Sequence, residues 1–293
     1  MARAPAFQLK SAEQGGEILR WIDENVRELR KVFESTSKHA KLLRVVPFLV
    51  GRTLFLRLEA STGDAMGMNM VTKGSLEVAN FVCKQFSVDL VTVSGNLCVD
   101  KKASFMNWIR GRGKYVVAEC VLAESVVHRV LHTTPHSMER VHVAKNYIGS
   151  SVAGTVGGNN AHAANVVAAF FLATGQDMAQ VVESSHCLTQ IQRLTSTVDR
   201  KGTTDSLYCS VTLPCIEVGT VGGGTGLAPQ NACIQMILQQ YRNAGANGQL
   251  SDSQILASVL AATVLAGEVN LIAALSSNEL VSAHMQLNRG TTS

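Results

Sequence analysis

Charged side chains are scarce in this sequence. Aspartate, glutamate, lysine and arginine make up 16% of its 293 residues, against about 25% in an average soluble domain. So few charges predict that other subunits or further chain segments cover part of the surface, and we expect an oligomer. The net charge of +4 comes without a long basic block, which argues against binding of nucleic acid through its phosphates.

Several other signatures are missing as well. Seven cysteines without a CxxC pair do not form a zinc knuckle or a disulfide framework, and they indicate a reducing compartment. We predict no metal site. The first ten residues lack the apolar core of a signal peptide. No GxGxxG motif lies between a strand and a helix, so a Rossmann fold is not supported.

The longest apolar tract begins at Ile255. It is interrupted by Glu268 and Asn270, a pattern typical of a buried helix and not of a membrane span. We therefore expect no membrane contact from this part of the protein.

Hydrophobic periodicity divides the chain into two parts. Helical spacing over residues 11–33 is followed by a predicted hairpin over residues 42–59, where Leu54, Leu56 and Leu58 alternate with Phe55, Arg57 and Glu59. A second helix and a strand follow. The order α, β, β, α, β predicts a small α+β domain of ferredoxin-like type over residues 5–92.

Residues 93–293 have a different character, rich in alanine, glycine and valine, with one clear strand around residues 207–213. They predict a helix-rich large domain. The fold class is therefore α+β, with the small ferredoxin-like domain inserted in the large one.

A charged loop, residues 93–104, joins the two predicted domains. It places Asp100, Lys101 and Lys102 in a row after a Ser-Gly-Asn segment. A run of charged residues of this kind fits a solvated turn. The hydroxyl of Ser94, the flexible backbone of Gly95 and the amide of Asn96 also suit anion recognition. A lysine beside an aspartate can stabilise negative charge that develops on a carbonyl oxygen. Both interpretations stay open on local grounds.

A few polar side chains interrupt the apolar segment that follows. On one continuous helix Asn165 and Asp177 would lie about 18 Å apart, although the Thr-Gly pair before residue 176 offers a break. Asp177 fits a helix cap, with Gln180 at the spacing of a capping box. His162 fits a satisfied core histidine, and His284 near the C-terminus fits a structural one.

Two glycine-rich segments complete the set, at residues 64–70 and 219–226. Glycine runs let backbone N–H groups approach a phosphate or a planar ring. Tight packing of the backbone explains them equally well.

Six segments in this order, DAMGMNM, SGNLCVDKK, GGNNAHAAN, GQDMAQ, GTVGGGT and SAHMQLNR, closely resemble the catalytic domain of the eukaryotic class of HMG-CoA reductases. The resemblance runs nearly end to end. It implies reduction of the thioester HMG-CoA to mevalonate and coenzyme A with two NADPH, the committed step of isoprenoid and sterol biosynthesis.

The resemblance also implies roles for individual residues. The catalytic set would be Lys101, which stabilises the oxyanion, Asp177, coupled to that lysine, Asn165, which orients it, and His284, which protonates the departing thiolate. The substrate-binding set would be Arg3, Ser94, Asp100, Lys102, Lys145 and His162. The NADPH-binding set would be Ser37, Lys38, Asp64, Met68, Asn69, Gly222, Gly223, Gly224 and Thr225.

The chain departs from the family pattern at three places. Lys38 stands where animal relatives have arginine. A lysine offers a point charge, whereas an arginine offers a bidentate fork. Gly290 stands where animal enzymes carry a regulatory phosphoserine, although Thr291 and Thr292 are adjacent. The family's catalytic glutamate lies upstream of the residue that matches Arg3, so we expect the 293-residue polypeptide alone to have little or no turnover.

The assembly implied is a homo-oligomer, dimer or tetramer, whose active site is shared between subunits. Full-length relatives are anchored in the endoplasmic reticulum membrane with the catalytic part facing the cytosol. Two alternatives remain: a CoA- or nucleotide-binding α+β module without redox chemistry, and a purely structural role for the polar residues.

Overall fold

The computed structural model describes residues 1–198, 202–245 and 250–277 of the chain. His284 and Gly290 lie outside these residues. The helices are α1 (Ala12–Glu34), α2 (Met68–Phe86), α3 (Phe105–Arg110), α4 (Glu124–Arg129), α5 (Pro135–His142), α6 (Ser150–Ala153), α7 (Ala163–Thr174), α8 (Val181–Ser184), α9 (Ala228–Asn243) and α10 (Asp252–Ser276). The strands are β1 (Ala2–Arg3), β2 (Ala6–Gln8), β3 (Lys41–Val50), β4 (Thr53–Ser61), β5 (Asp89–Thr92), β6 (Lys114–Leu122), β7 (Leu188–Val198) and β8 (Gly202–Ile216). A π-helical turn covers Val143–Gly149, and 3₁₀ turns cover Met178–Gln180 and Gly223–Gly226.

The first five strands form one antiparallel sheet. Strand β4 pairs with β1, β2 and β3, and β2 pairs with β5 on its other side. From β2 onward the elements follow the β-α-β-β-α-β order of a ferredoxin-like unit. The sequence pattern predicts the last five of these six elements. The sequence pattern misses β1 and β2, because strands of two or three residues are too short to show alternation. The limits of the small domain, and its insertion in the large one, stay predictions.

Strand β4 shows where the alternation holds and where it fails. Leu54, Leu56 and Leu58 are fully buried and pack against α1 and α2. The alternation predicts that the opposite face of β4 is open to solvent. Arg57 on that face is nevertheless buried. Its Nη1 donates a hydrogen bond to the carbonyl of Leu97 at 2.7 Å. The loop 93–104 therefore covers this face.

The second core lies around α10. Strands β6, β8 and β7 form a three-stranded antiparallel sheet, and on β8 the side chains of Leu207, Cys209, Val211 and Leu213 are fully buried, as their alternation predicts. Helix α10 packs against this sheet and against α7. Within the described residues it is the one helix long and apolar enough to cross a membrane, but residues such as Leu260 lie in the core. The mixture of helix and sheet confirms the α+β class.

Candidate active site

The loop 93–104 has a strained backbone. Asn96, Val99 and Lys101 have φ angles of 64°, 52° and 61°, in the left-handed region that residues other than glycine rarely adopt. For a β-branched residue such as Val99 this conformation is a genuine outlier. Backbone strain of this kind persists only where the surrounding structure holds it, and it clusters at functional sites.

Lys101 lies beside two carboxylates. Its Nζ is 3.9 Å from Oδ2 of Asp177 and 3.5 Å from Oδ2 of Asp100. The side chains of Lys101 and Asp177 are 42% and 37% exposed. Asp177 also caps the 3₁₀ turn, since its Oδ1 accepts the N–H of Ala179 at 3.0 Å. Gln180 does not complete the expected capping box, because its amide donates to Asp100 at 3.1 Å.

A cavity of about 660 Å³ opens beside this pair, a volume within the range of small-ligand sites. Four of the six segments that carry the family resemblance contribute to its lining. The lining includes Arg3, Lys101 and residues 65–70, 175–178 and 221–225. A larger open cleft of about 800 Å³, between α5, the π-helical turn, β7 and the end of α10, holds none of the predicted site residues.

Glycines let the lining segments meet. Gly175 ends α7 at φ +67°, and a Cβ there would lie 2.4 Å from the carbonyl oxygen of Gly224. A Cβ on Gly219 would lie 2.5 Å from the nitrogen of Met66. Gln176 fastens the same junction, since its amide donates to the Gly219 carbonyl at 3.0 Å and accepts from the Gly219 N–H at 2.9 Å. A larger residue at either glycine would push the segments apart.

Beneath the loop lies a buried cluster of charges, which we call the Arg112 cluster: Arg112, Asp100, Glu183 and Glu217. Nη2 of Arg112 donates to Oδ1 of Asp100 at 3.0 Å, while its Nε contacts Glu217 and lies 3.6 Å from Glu183. All four residues are buried. The three carboxylates are close enough together to hold a metal ion, but the guanidinium of Arg112 already contacts each of them.

The pKa values of the carboxyl groups in this cluster are shifted in opposite directions. Desolvation raises the pKa of Glu217 well above its ordinary value; Arg112 opposes this and the charge of Glu183 adds to it. Desolvation raises the pKa of Glu183 as well. At Asp100 desolvation acts in the same sense, but Arg112 and further contacts outweigh it and lower the pKa. Glu217 therefore holds a proton under conditions in which Asp100 is ionised.

Four of the six predicted substrate residues come together on this loop. Nη1 of Arg3 donates to Asp100 at 3.0 Å and to the hydroxyl of Ser94 at 3.4 Å. Nζ of Lys102 donates to the carbonyl of Asp100 at 3.4 Å. The cations and the hydroxyl are arranged as the substrate prediction requires, and their role in binding stays a prediction.

Lys145, Asn165 and His162 lie outside both the cavity lining and the loop 93–104. Lys145 is exposed on the π-helical turn, and Asn165 is exposed in the first turn of α7. His162 has its Nε2 2.9 Å from the carbonyl of Gly267, and its backbone N–H donates to Glu268 at 2.8 Å. These contacts of His162 fit the alternative of a satisfied packing histidine.

The predicted NADPH residues fall into two groups. The cavity is lined by Met68, Asn69, Gly222, Gly223, Gly224 and Thr225. Ser37 lies beside it, because its hydroxyl contacts the sulfur of Met70, a lining residue, at 3.4 Å; Lys38 is exposed. Asp64 is outside the lining and accepts the N–H of Ser253 at 2.9 Å. Burial acts to raise the pKa of Asp64, but hydrogen bonds from Ser253 and Ser251 outweigh burial, and the pKa is lowered.

Sequence reasoning did not single out Arg112, Glu183 or Glu217. A signal exists: Glu183 is the one charged side chain between residues 178 and 192 apart from a histidine, and Glu217 stands between two aliphatic residues. A lone charge in an apolar segment is seldom buried without a partner. The partners themselves come from three separate segments, so the pairing is visible only in the structure.

Comparison with known proteins identifies the class to which this site belongs. The family model described as hydroxymethylglutaryl-coenzyme A reductase matches residues 1–289. The chain belongs to the hydroxymethylglutaryl-coenzyme A reductase family.

Individual relatives agree with this assignment. The chain is 45% identical over 294 residues to 3-hydroxy-3-methylglutaryl-coenzyme A reductase 2 of Dictyostelium discoideum, covering 99% of this chain and 54% of that protein. It is 46% identical to the reductase of Zea mays, with coverage of 99% and 49%. The chain thus spans about half the length of these relatives.

Among solved structures, the class II reductase of Streptococcus pneumoniae bound to NADPH in open conformations has a TM-score of 0.63. The match covers 94% of this chain and 70% of that one at 17% identity. At this identity the likeness establishes the fold.

Proposed function

We propose that the cavity is the active site of a reductase that converts HMG-CoA to mevalonate and coenzyme A with two NADPH, in isoprenoid and sterol biosynthesis. The observation that carries this proposal is the pair of Lys101 and Asp177, 3.9 Å apart beside a cavity lined by glycine-rich segments. A cation in that position stabilises the oxyanion that forms as hydride reaches a carbonyl carbon. Family membership supports the choice of substrate.

The chain's own residues divide the work as follows. The ammonium of Lys101 faces the oxygen of the thioester at the first reduction and of the aldehyde at the second. Asp177, 3.9 Å away, holds that ammonium in place. Between the reductions the C–S bond breaks, and we assign protonation of the departing thiolate to His284.

The glycine-rich lining fits NADPH, which supplies the hydride when bound. Gly222 and Gly223 have φ angles of +87° and +58°, and a Cβ on either would meet nothing within 4 Å. Bare backbone next to open space lets a planar ring or a phosphate approach closely. Ser37 contacts Met70 at the side of the same cavity, and the exposed Lys38 follows it in sequence. We assign the ribose phosphate to these two residues, with Lys38 as a point-charge contact.

We propose further that the site is completed by a second copy of the chain in a homo-oligomer. Lys145 and Asn165 are exposed and do not line the cavity of their own chain, so both side chains are available to a neighbour's site. The edge strand β6 exposes Tyr115 and Val121 to 65% and 58%, apolar area that an interface would bury. On the family resemblance, we place the reaction on the cytosolic side of the endoplasmic reticulum in a longer, membrane-anchored protein.

The test is Lys101→Ala in an extended chain, in which the upstream half of the Dictyostelium catalytic domain precedes Met1. HMG-CoA-dependent NADPH oxidation should fall about 100- to 1000-fold in kcat, the effect of losing one oxyanion donor, with HMG-CoA binding retained. Lys31→Ala, on an exposed α1 lysine, is the matched control and should be unchanged.

Two outcomes would count against this function. Unchanged turnover in Lys101→Ala would remove that residue from the mechanism. Binding of NADPH and HMG-CoA by the extended chain without any oxidation would instead support the alternative, a nucleotide-binding module without redox chemistry.

A further inference from the structure

One short segment of the chain holds the loop 93–104 at three points. Asp177, Gln180 and Glu183 are spaced three residues apart, on the 3₁₀ turn that begins after residue 177 and on α8. Side chains three apart share one face of a helical segment. Here that face carries an aspartate, a glutamine and a glutamate, and each of them contacts the loop.

The three contacts fall on two neighbouring loop residues. Asp177 lies 3.9 Å from Nζ of Lys101, and Gln180 donates to Oδ1 of Asp100 at 3.1 Å. Glu183 accepts the backbone N–H of Lys101 at 2.7 Å. Lys101 is therefore held at both ends, its backbone by Glu183 and its ammonium by Asp177.

We propose that Glu183 is a positioning residue for Lys101: its carboxylate fixes the Lys101 backbone, and thereby directs the Lys101 ammonium toward Asp177 and the cavity. The proposal rests on the function proposed above for Lys101. Glu183 itself is fully buried, and its contact is with the backbone nitrogen, so it takes no part in proton transfer to substrate.

The strain in the loop gives this contact its importance. Lys101 is held at φ +61°, a conformation that costs of order 1 kcal/mol or more for a residue with a side chain. A short hydrogen bond from a backbone N–H to a buried carboxylate is among the stronger ones. Without it the loop has a lower-energy backbone available, in which Nζ would no longer face Asp177.

The Arg112 cluster also holds the Glu183 carboxyl in place beneath the loop. Arg112 lies 3.6 Å from Glu183, and it also contacts Glu217 and Asp100. Burial raises the pKa of Glu183, although the Lys101 N–H and Arg112 act to lower it. A carboxyl oxygen can accept the Lys101 N–H whether or not the group carries a proton.

Two substitutions separate a positioning role from a packing role. Glu183→Gln keeps an oxygen that can accept the Lys101 N–H, and Glu217 can ionise to restore the charge balance. Glu183→Ala removes the acceptor. Glu124→Ala is the matched control, because Glu124 is also a carboxylate that accepts a backbone N–H, that of Asp205 at 3.3 Å.

The first measurement is amide hydrogen exchange at Lys101 in the 293-residue chain. Exchange should accelerate at least about tenfold in Glu183→Ala, remain near the wild-type rate in Glu183→Gln, and be unchanged in Glu124→Ala. The second is steady-state kinetics in the extended chain. In Glu183→Ala kcat should fall about 10- to 100-fold with KM for HMG-CoA within about threefold, since a misplaced group of this kind affects the transition state; Glu183→Gln should stay within about fivefold of wild type.

Equal protection and equal kcat in Glu183→Ala and wild type would overturn the proposal. So would loss of turnover in a folded Glu183→Gln whose Lys101 amide is still protected, and this variant decides the matter if Glu183→Ala does not fold. A wild-type extended chain that does not reduce HMG-CoA would count against the proposed function, while the exchange data would still decide whether Glu183 holds Lys101.

Discussion

The two faces of the loop 93–104 make the sharpest contrast in the molecule. Asp100 and Lys101 are neighbours in sequence, yet Asp100 points into the buried Arg112 cluster, while Lys101 is 42% exposed beside the cavity. Asp100 has two arginines at 3.0 Å. Lys101 has carboxylates only at 3.5 and 3.9 Å. The carboxylate of Asp100 is fully engaged in contacts within the fold, whereas the ammonium of Lys101 keeps donors available for a ligand.

The difference shows how the ammonium of Lys101 can be held in place while it keeps donors available for a ligand. The guanidinium of Arg112 already contacts three carboxylates, whereas an ammonium with three donors and two long contacts can still bind a developing oxyanion. The two faces are joined through the loop backbone, because Glu183 of the buried cluster accepts the N–H of Lys101 at 2.7 Å. Substitutions on the two faces should therefore differ in kind: stability on one and turnover on the other.

The largest expected effect is on the buried face. Arg112→Met leaves Asp100 and Glu183 buried without their main cation, and breaking such a pair costs about 3–5 kcal/mol. Lys101→Met, on the open face, should change the free energy of unfolding by less than about 1 kcal/mol. Urea unfolding of both variants measures this. Equal losses of stability would mean that the two faces are not energetically distinct.

A smaller effect should appear in the pH dependence of stability. The folded-state pKa of Glu217 is raised by burial and by Glu183, against the opposing charge of Arg112. Its contribution is fully present below its ordinary pKa and is lost as pH rises toward the folded value, because only the unfolded state releases the proton. Stability should fall by up to about 1.4 kcal/mol per pH unit in this window.

Glu217→Gln should flatten that decline. Glutamine has no proton to release, so the difference in unfolding free energy between variant and wild type should change steadily from about pH 4.5 upward. Asp100 and Glu183 remain in both proteins and their contributions largely cancel in the difference. Parallel curves for the two proteins would show that Glu217 titrates alike in the folded and unfolded states.

The smallest expected change in stability is on the open face. Asp177→Asn should alter the unfolding free energy by less than about 1 kcal/mol, since asparagine caps a helix about as well as aspartate. Turnover of the extended chain should nevertheless be lost, because the amide no longer supports the charge of Lys101. A structural role predicts the opposite result, lower stability with turnover intact. Thermal melts and NADPH oxidation on the same preparation distinguish the two.

Much of the fold follows from local pattern. The alternation of Leu54, Leu56 and Leu58 fixed one face of β4, and the helical spacing of residues 11–33 agrees with α1. The break expected after residue 174 occurs at Gly175, whose φ of +67° ends α7. These features depend on neighbours in sequence, so the sequence suffices to predict them.

Other features were wrong or missed for one physical reason. Gln180 was expected to cap its own turn, but it binds Asp100, eighty residues away along the chain. Arg57 was expected on an open face, but the loop 93–104 covers it. A side chain binds a partner that is distant in sequence when that partner offers better geometry than the local one. The spacing of residues in the sequence does not show which of the two partners is preferred.

By itself the sequence determined the order of the helices and longer strands in residues 11–92, the buried positions on β4 and β8, and the segments that place the chain in its family, because each depends on residue type and short-range spacing. Only the tertiary structure decided which carboxylates share Arg112 and which side chain holds the backbone of Lys101. Those pairings join segments far apart in the chain, and burial excludes the water that would otherwise satisfy each charge alone.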